Sequence, residues 1–199
     1  MTMKALVQRR TLLEYLVAES AWLSRILAVV GFSFLVALSA QWAIPLPFTP
    51  VPITAQTAIV LLGGMVLGRR LGALAILLYL GEGAMGWPVF AGGRGGLAHL
   101  MGPTGGYLLG FVLAAYVTGA LAERGWDRRW ATAVAAMAIG QMVIYLTGLL
   151  GLLRFASPER ALALGVWPFL LGDLLKILLA AGFLPIAWRV LGRSIGRTF

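Results

Sequence analysis

Cysteine, histidine and lysine are scarce or absent in this sequence of 199 residues. It contains no cysteine and one histidine, His99, which excludes disulfides, thiol chemistry, iron–sulfur clusters and zinc sites built on cysteine or on several histidines. Its only lysines are Lys4 and Lys176, and no G-x-x-x-x-G-K-[ST] segment occurs. The chain therefore cannot hydrolyse ATP through a P-loop.

Charged residues are also scarce. They make up 12% of the chain, apolar residues make up 60%, and the mean hydropathy is +0.91, whereas soluble domains carry about a quarter charged residues. The net charge of +9 does not indicate nucleic-acid binding, because the cations stand in short clusters between long apolar runs. A chain of this length accommodates roughly six membrane spans of about 20 residues and no separate soluble domain.

Six apolar runs, separated by proline, glycine and arginine clusters, predict six membrane-spanning helices. They are residues 26–44, 53–67, 71–87, 106–122, 130–153 and 166–191. No internal repeat or domain boundary interrupts them, so we predict an all-α membrane protein with one six-helix bundle over residues 22–199. The leader before it, residues 1–21, is predicted as either a short interfacial helix or a disordered segment.

The orientation of this bundle follows from its cations. Three of them, Arg94, Arg154 and Arg160, fall in loops on one side of a six-span topology, while 12 of the 16 fall on the other side with both termini. The positive-inside rule therefore predicts that the N- and C-termini are cytoplasmic. A cleaved signal peptide is the alternative for the first run, since residues 37–39 resemble a cleavage site, but the apolar run continues to Ile44 and favours a retained span.

Two opposite charges, Asp173 and Lys176, stand inside the sixth run. Because they are three residues apart, a helix places them on one face. At about 1.5 Å per residue from Trp167 at the interface, they lie about 9 Å and about 14 Å deep in a core of roughly 30 Å. Each charge is unfavourable there by about 2.5 to 3.5 kcal/mol. They form either a structural ion pair or part of a cavity that binds a polar ligand, and a charge within the membrane favours the second reading.

A glycine-rich segment, residues 88–107, emerges on the outer side of this topology, in the same leaflet as the charged pair. It is either a flexible loop or a cover over a small ligand, because irregular backbone at a membrane boundary must line water or pack on protein. Phe90 and Tyr107 could stack on an apolar ring or act as interface aromatics. Gln56 and Gln141 could line a cavity or join helices, and the sequence does not separate these roles.

Four segments in order resemble one family of membrane proteins. They are Val51-Pro-Ile-Thr-Ala-Gln-Thr57, Gly86-Trp-Pro-Val-Phe-Ala-Gly-Gly93, Gly102-Pro-Thr-Gly-Gly-Tyr-Leu-Leu-Gly-Phe111 and Gly172-Asp-Leu-Leu-Lys176. Together they resemble BioY, the biotin-binding S component of energy-coupling factor (ECF) transporters. The resemblance implies a six-helix S-component fold in the prokaryotic cytoplasmic membrane and biotin capture from outside. It also implies work with a T component and ATPase subunits that hydrolyse ATP, with no catalysis and no cofactor of the chain's own.

The resemblance also implies a set of substrate-binding residues. The biotin ureido ring offers two N–H donors and one carbonyl acceptor, so Asp173 can accept from an N–H while Lys176 donates to an oxygen. Arg94 is the first candidate to hold the valerate carboxylate, and Lys176 competes with it. The resemblance implies further contacts. The rings of Phe90 and Tyr107 are expected to cover the fused apolar rings, and the Gln56 amide is expected to contact the ligand. Backbone groups at Gly92, Gly93 and Gly105 are expected to close the outer side.

Two other functions remain open at this stage. The same architecture could bind a different small vitamin as an S component. Alternatively, Asp173 and Lys176 could be the acid and base of a small intramembrane enzyme or a proton relay in a carrier. No nucleophile, metal set or cofactor motif accompanies the pair, so the transport function is favoured.

Overall fold

The computed structural model describes residues 11–13 and 22–194, without the side chains of residues 191–194. The described chain is mostly helical and contains one β-hairpin. In chain order, residues 22–194 form α1 (Trp22–Gln41), β1 (Ala43–Leu46), β2 (Thr49–Thr54), α2 (Gln56–Leu67), α3 (Arg69–Ala84), α4 (Leu97–Leu100), α5 (Gly105–Ala122), α6 (Trp130–Leu152), α7 (Pro158–Gly165) and α8 (Leu170–Ser194).

All six predicted runs contain a helix, and their ends agree to within a few residues. Four of these helices are long and apolar enough to cross a membrane: α1, α5, α6 and the part of α8 from Leu170 to Val190. Helix α2 has 12 residues and α3 has 16, which is shorter than the roughly 20 residues of an untilted span. The count of six spans therefore stays a prediction.

The β-hairpin is the main departure from the all-α prediction. Strands β1 and β2 are antiparallel, with Ala43 opposite Thr54 and Leu46 opposite Thr49. By their positions in the sequence, the prolines of this region predict only the end of the first helix. In a two-stranded sheet, however, both strands are edge strands. Proline has no backbone N–H group, so it fits at positions where this group would point away from the partner strand, and the hydrogen bonds between the strands are kept.

Helix α5 lies at the centre of the bundle and packs against α2, α3 and α6. Small residues bring these helices close together: a Cβ at Gly64 would collide with Ala115 on α5, and one at Gly106 would collide with α6 at Thr147. Helix α1 lies at the periphery, where Trp22, Leu27 and Phe34 are more than half exposed. Such a surface suits contact with lipid.

The end of the bundle formed by the α2–α3 and α5–α6 connections is held by two acidic side chains. Glu123 accepts a hydrogen bond from the Arg69 backbone N–H at 3.0 Å and pairs with the Arg69 side chain at 3.2 Å. Asp127 is fully buried and accepts a hydrogen bond at 2.6 Å from the indole N–H of Trp188 on α8. Burial raises the pKa of Asp127 to about 6, although the Trp188 hydrogen bond and the Arg128 charge oppose the shift.

The leader predicted for residues 1–21 lies mostly outside the described residues. Within it, Thr11 and Leu12 are buried, and a Cβ at Gly68 would contact the Thr11 methyl group at 2.9 Å. The choice between an interfacial helix and a disordered segment is therefore not tested. The cytoplasmic position of the two termini also stays a prediction.

Candidate functional site

A cavity of about 780 Å³ opens at the end of the bundle that carries the hairpin and the glycine-rich segment. Its walls come from β1, β2, the start of α2, the segment 91–104 and the facing parts of α5, α6 and α8. Ligand pockets commonly have volumes of about 300 to 1,000 Å³, so the cavity has the size of a small-molecule site. Six residues that the sequence analysis selected line it: Gln56, Gly92, Arg94, Tyr107, Asp173 and Lys176.

Asp173 is the most densely bonded side chain of the cavity wall. Its Oδ1 accepts hydrogen bonds from Lys176 Nζ at 2.9 Å and from Thr57 Oγ1 at 3.3 Å. Its Oδ2 accepts from Gln141 Nε2 at 2.8 Å and from the Tyr145 hydroxyl at 2.7 Å. The carboxylate is 4% exposed and joins helices α2, α6 and α8.

Lys176 forms the ion pair that the spacing of the two charges predicts. Its Nζ lies 2.9 Å from Asp173 Oδ1 and donates a second hydrogen bond to the Thr54 carbonyl at 2.8 Å. An ammonium group has three donors, and the third has no acceptor among the described residues. The side chain is 25% exposed and lines the cavity, so the two charges form an ion pair and also face a cavity. Binding of a polar ligand in this cavity stays a prediction.

The glycine-rich segment makes a tight turn at the mouth of the cavity. Phe90 and Arg94 pair through backbone hydrogen bonds of 2.8 Å and 3.3 Å. Gly92 and Gly93 both have φ of +71°, a conformation that side chains with a Cβ rarely adopt. The turn leaves the Arg94 side chain exposed beside the cavity, with no ion-pair partner among the described residues.

Three of the selected residues support the cavity and are not part of its lining. Phe90 is fully buried, packs edge-on against Tyr79 and stacks on the His99 ring at 5.1 Å, so it anchors the turn from beneath. Gly105 begins α5 where a Cβ would collide with the Leu100 carbonyl. Gly93 occupies the turn itself.

Tyr107 and Gln56 line the cavity with side chains that are already engaged. The Tyr107 hydroxyl donates to the Gly165 carbonyl at 2.9 Å, which joins α5 to α7 and leaves the ring to face the cavity. Gln56 donates from Nε2 to the Tyr79 hydroxyl at 2.8 Å. Gln56 therefore both lines a cavity and joins helices, the two roles that the sequence left open.

His99 contributes an uncharged ring to the cavity wall. Burial, aided by the charge of Arg94, lowers the pKa of His99 below its usual value of 6.5, so the ring is neutral at pH 7. Its Nε2 lies 3.4 Å from Thr104 Oγ1. Among the described residues no group of three or more His, Cys, Asp or Glu side chains could hold a metal ion.

Sequence reasoning missed Thr57 and Tyr145 as members of this site. Gln141 and Tyr145 are four residues apart, so they share one face of α6. This spacing is the sequence signal that could have predicted Tyr145 beside Gln141. Their contact with Asp173 crosses from α6 to α8, and hydropathy carries no information on which helix faces meet.

The chain is similar to known proteins along most of its length. A model of the BioY family matches residues 8–193. A probable biotin transporter BioY of Pyrococcus horikoshii is 43% identical over 166 residues, which cover 83% of this chain and 95% of the relative. The biotin transporter BioY of Thermotoga maritima is 42% identical over 151 residues, which cover 75% of this chain and 87% of the relative.

A solved structure shares the fold. The crystal structure of an S-component for biotin from an ECF-type ABC transporter matches with a TM-score of 0.78 at 21% identity, and the match covers 87% of this chain and 95% of that one. This likeness shows that the two chains share an overall fold. With the family model matched over residues 8–193 and two relatives above 40% identity, this chain belongs to the BioY family.

Proposed function

We propose that this chain is the substrate-binding S component of an ECF-type transporter and that it takes up biotin across the cytoplasmic membrane of a prokaryotic cell. The observation that carries the proposal is the Asp173–Lys176 ion pair, whose aspartate is buried and whose lysine is half-buried in an apolar bundle beside a cavity of about 780 Å³. Intramembrane charges commonly mark a substrate path. The relatives at 43% and 42% identity, both named as biotin transporters, support biotin as the ligand.

The free donors around the cavity suit the two polar ends of biotin. Lys176 retains one N–H for the ureido oxygen, since its other two are used by Asp173 and the Thr54 carbonyl. Arg94 is exposed beside the mouth of the cavity and is the better candidate for the valerate carboxylate, because a guanidinium can bind both carboxylate oxygens at once. The Tyr107 ring covers the fused apolar rings.

The glycines of the site take backbone roles in this proposal. Gly92 and Gly93 let the turn close over the ligand in a conformation that requires glycine. Gly105 lets α5 begin against Leu100, and Phe90 holds the turn from beneath. Gln56 keeps the hairpin-side wall fixed through Tyr79.

The membrane topology of the proposal has six spans, with both termini in the cytoplasm and the cavity open to the outside. Twelve of the 16 cations lie on the cytoplasmic side of that topology, as the positive-inside rule requires. The sequence contains no P-loop, so ATP hydrolysis is left to ATPase subunits, and a T component links them to this chain. The solved neighbour, named as the S-component of such a transporter, supports this assembly.

Binding of labelled biotin to the detergent-purified chain tests the proposal. We expect saturable, reversible binding, measured by equilibrium dialysis. A panel of vitamins is also tested for its effect on the melting temperature of the chain. If a different vitamin stabilises the chain and biotin does not, the chain is an S component for that vitamin, and biotin as the ligand is contradicted. Turnover of an added amphiphile by the isolated chain would instead indicate an intramembrane enzyme.

Replacement of Asp173 by asparagine tests the site. We expect the fold to persist and the affinity for biotin to fall by about 1.5 to 3 kcal/mol, because charge-assisted hydrogen bonds that organise the cavity are lost. Calorimetric titration measures the change. An unchanged affinity in Asp173→Asn would remove this residue from the site.

A further inference from the structure

Three arginines meet at the end of the bundle opposite the cavity. Arg128 and Arg129 stand in the α5–α6 connection, and Arg189 lies on α8. Trp188 joins the two elements: the Arg128 guanidinium lies 4.7 Å from the centroid of its ring, and its indole N–H donates to Asp127 at 2.6 Å. Because Arg129 follows Arg128 and Arg189 follows Trp188 in the sequence, Arg128, Arg129 and Arg189 form one group, which we call the arginine cluster.

Acidic side chains of the described residues do not balance the arginine cluster. The two acids at this end are already engaged: Glu123 pairs with Arg69 at 3.2 Å, and Asp127 is fully buried. Arg129 and Arg189 are exposed, and neither has an ion-pair partner in the part of the chain that the structure describes. Excess positive charge therefore faces the surroundings of the bundle at this point.

An exposed apolar surface adjoins the arginine cluster on α8. Phe183 and Ile186 are more than half exposed, and their spacing of three residues places them on one face of the helix. Trp130, at the start of α6, is exposed as well. Its indole N–H donates to the Leu178 carbonyl of α8 at 3.3 Å, so this ring joins the two helices at their outer surface.

A single ligand that covers both parts of this surface needs an anionic headgroup and apolar chains. Guanidinium groups bind phosphate oxygens in pairs, while the exposed side chains of α8 suit acyl chains. A free phosphate or an acidic peptide would satisfy the arginines and leave the apolar face uncovered. In the proposed topology this end faces the cytoplasm, and the cytoplasmic leaflet carries anionic lipids that attract basic segments close to a span.

We propose that the arginine cluster binds the phosphate headgroup of an anionic phospholipid, whose acyl chains lie along the exposed face of α8 beside Trp130. The bound lipid bridges the α5–α6 connection and α8, so it strengthens the link that Trp188 and Asp127 already make between them. This role goes beyond capture of a substrate, and it does not require the cavity at the other end.

Melting temperatures in a neutral detergent test the proposal. The purified chain is titrated with dioleoylphosphatidylglycerol, which is anionic, and with dioleoylphosphatidylcholine, which is zwitterionic. We expect the wild type to melt about 3 to 8 °C higher with phosphatidylglycerol and to respond more weakly to phosphatidylcholine. In Arg129→Gln/Arg189→Gln the apparent affinity for phosphatidylglycerol should fall about 25-fold, since each cation near an anionic lipid contributes about fivefold.

Two further variants separate the arginine cluster from positive charge in general. Arg25→Gln/Arg70→Gln removes two exposed arginines from α1 and α3 at the same end and should keep the wild-type affinity for phosphatidylglycerol within about threefold. Arg129→Lys/Arg189→Lys keeps both charges and should recover most of the loss. If the double glutamine variant does not fold, the single variants Arg129→Gln and Arg189→Gln decide, each with an expected loss of about fivefold.

Four results would overturn the inference. A wild type that phosphatidylglycerol does not stabilise has no such site. Equal losses of affinity in the two double glutamine variants would mean that net charge alone attracts the lipid. Equal stabilisation by phosphatidylcholine would mean that the headgroup charge is not recognised, and equal stabilisation by inorganic phosphate would mean that the acyl chains contribute nothing. Biotin binding by Arg129→Gln/Arg189→Gln should match the wild type, so failure of this inference leaves the proposed function intact.

Discussion

Asp173 and Asp127 are buried carboxylates at opposite ends of the same bundle. Asp173 is 4% exposed and accepts four hydrogen bonds, one of them from an ammonium group. Asp127 is 0% exposed, and its Oδ2 accepts from Trp188, while its Oδ1 has no partner among the described residues. Asp173 lines the cavity of about 780 Å³, and Asp127 is not among the residues that line it.

The two buried carboxylates differ in how many hydrogen bonds they accept, and they have different roles in the bundle. Asp127 ties the α5–α6 connection to the last helix, and burial raises the pKa of this carboxyl to about 6, so the charged form is poorly compensated. Asp173 accepts hydrogen bonds from donors on three helices, α2, α6 and α8, and one of these donors is the Lys176 ammonium group. The hydrogen-bonded ion pair borders a cavity and is the part of the molecule proposed to bind the ligand, whereas Asp127 joins two parts of the bundle.

The largest expected effect comes from breaking the Asp173–Lys176 pair on one side. In Lys176→Met, a buried carboxylate loses its counter-charge, and we expect a loss of about 3 kcal/mol of stability, the lower part of the range for such pairs because the cavity admits water. Thermal unfolding in detergent measures it. The double variant Asp173→Asn/Lys176→Met carries neither charge and should recover much of this loss. Equal melting temperatures for Lys176→Met and the wild type would contradict the account.

A smaller effect is expected from the cation at the mouth of the cavity. Arg94→Gln should weaken biotin about tenfold, because a charge-assisted contact to the carboxylate is lost, and should leave the affinity for biotin amide, which has no carboxylate, unchanged. Arg124→Gln is the matched control, an exposed arginine at the opposite end of the bundle. If both ligands weaken equally in Arg94→Gln, Arg94 does not hold the carboxylate.

The smallest expected effect is the pH dependence that Asp127 confers on stability. Its folded-state pKa of about 6 lies above the ordinary 3.8, so its stabilising contribution is full below pH 3.8 and is lost as the pH rises through 6. Between pH 5 and pH 8 the wild type should lose about 1 kcal/mol from this group. Asp127→Asn should reduce the fall in melting temperature over that interval. If the melting temperature of Asp127→Asn falls as much as that of the wild type over this interval, the pH dependence does not come from Asp127.

Much of the fold could be predicted because hydropathy and chain breakers record it directly. The arginines and glycine at residues 68–70 end one apolar helix and begin the next, and the helix found at Trp130–Leu152 differs from the predicted run by one residue. The hairpin was missed because Pro45, Pro50 and Pro52 also fit a loop. Edge strands tolerate proline, and local composition does not distinguish the two.

The site could be predicted only in part for a similar reason. Asp173 and Lys176 were visible because charges contrast with an apolar run. Asp127 gave no such contrast, since it lies in the connection between α5 and α6, close to Arg124 and Arg128 in the sequence. Phe90 was expected to face the ligand, but it is buried beneath the turn, because the orientation of a loop aromatic depends on contacts such as Tyr79 that are remote in sequence.

Labelled-biotin binding to the double variant Asp173→Asn/Lys176→Met tests the central claim most directly. The two charges are proposed to exist for the ligand, so their joint removal should leave a folded chain, monodisperse in detergent and with the wild-type helix content. We expect its affinity for biotin to be at least about 100-fold below that of the wild type. The variant lacks the Lys176 ammonium group, and the side chains that donate hydrogen bonds to the Asp173 carboxylate lose this charged acceptor. Wild-type affinity in that variant would contradict the account.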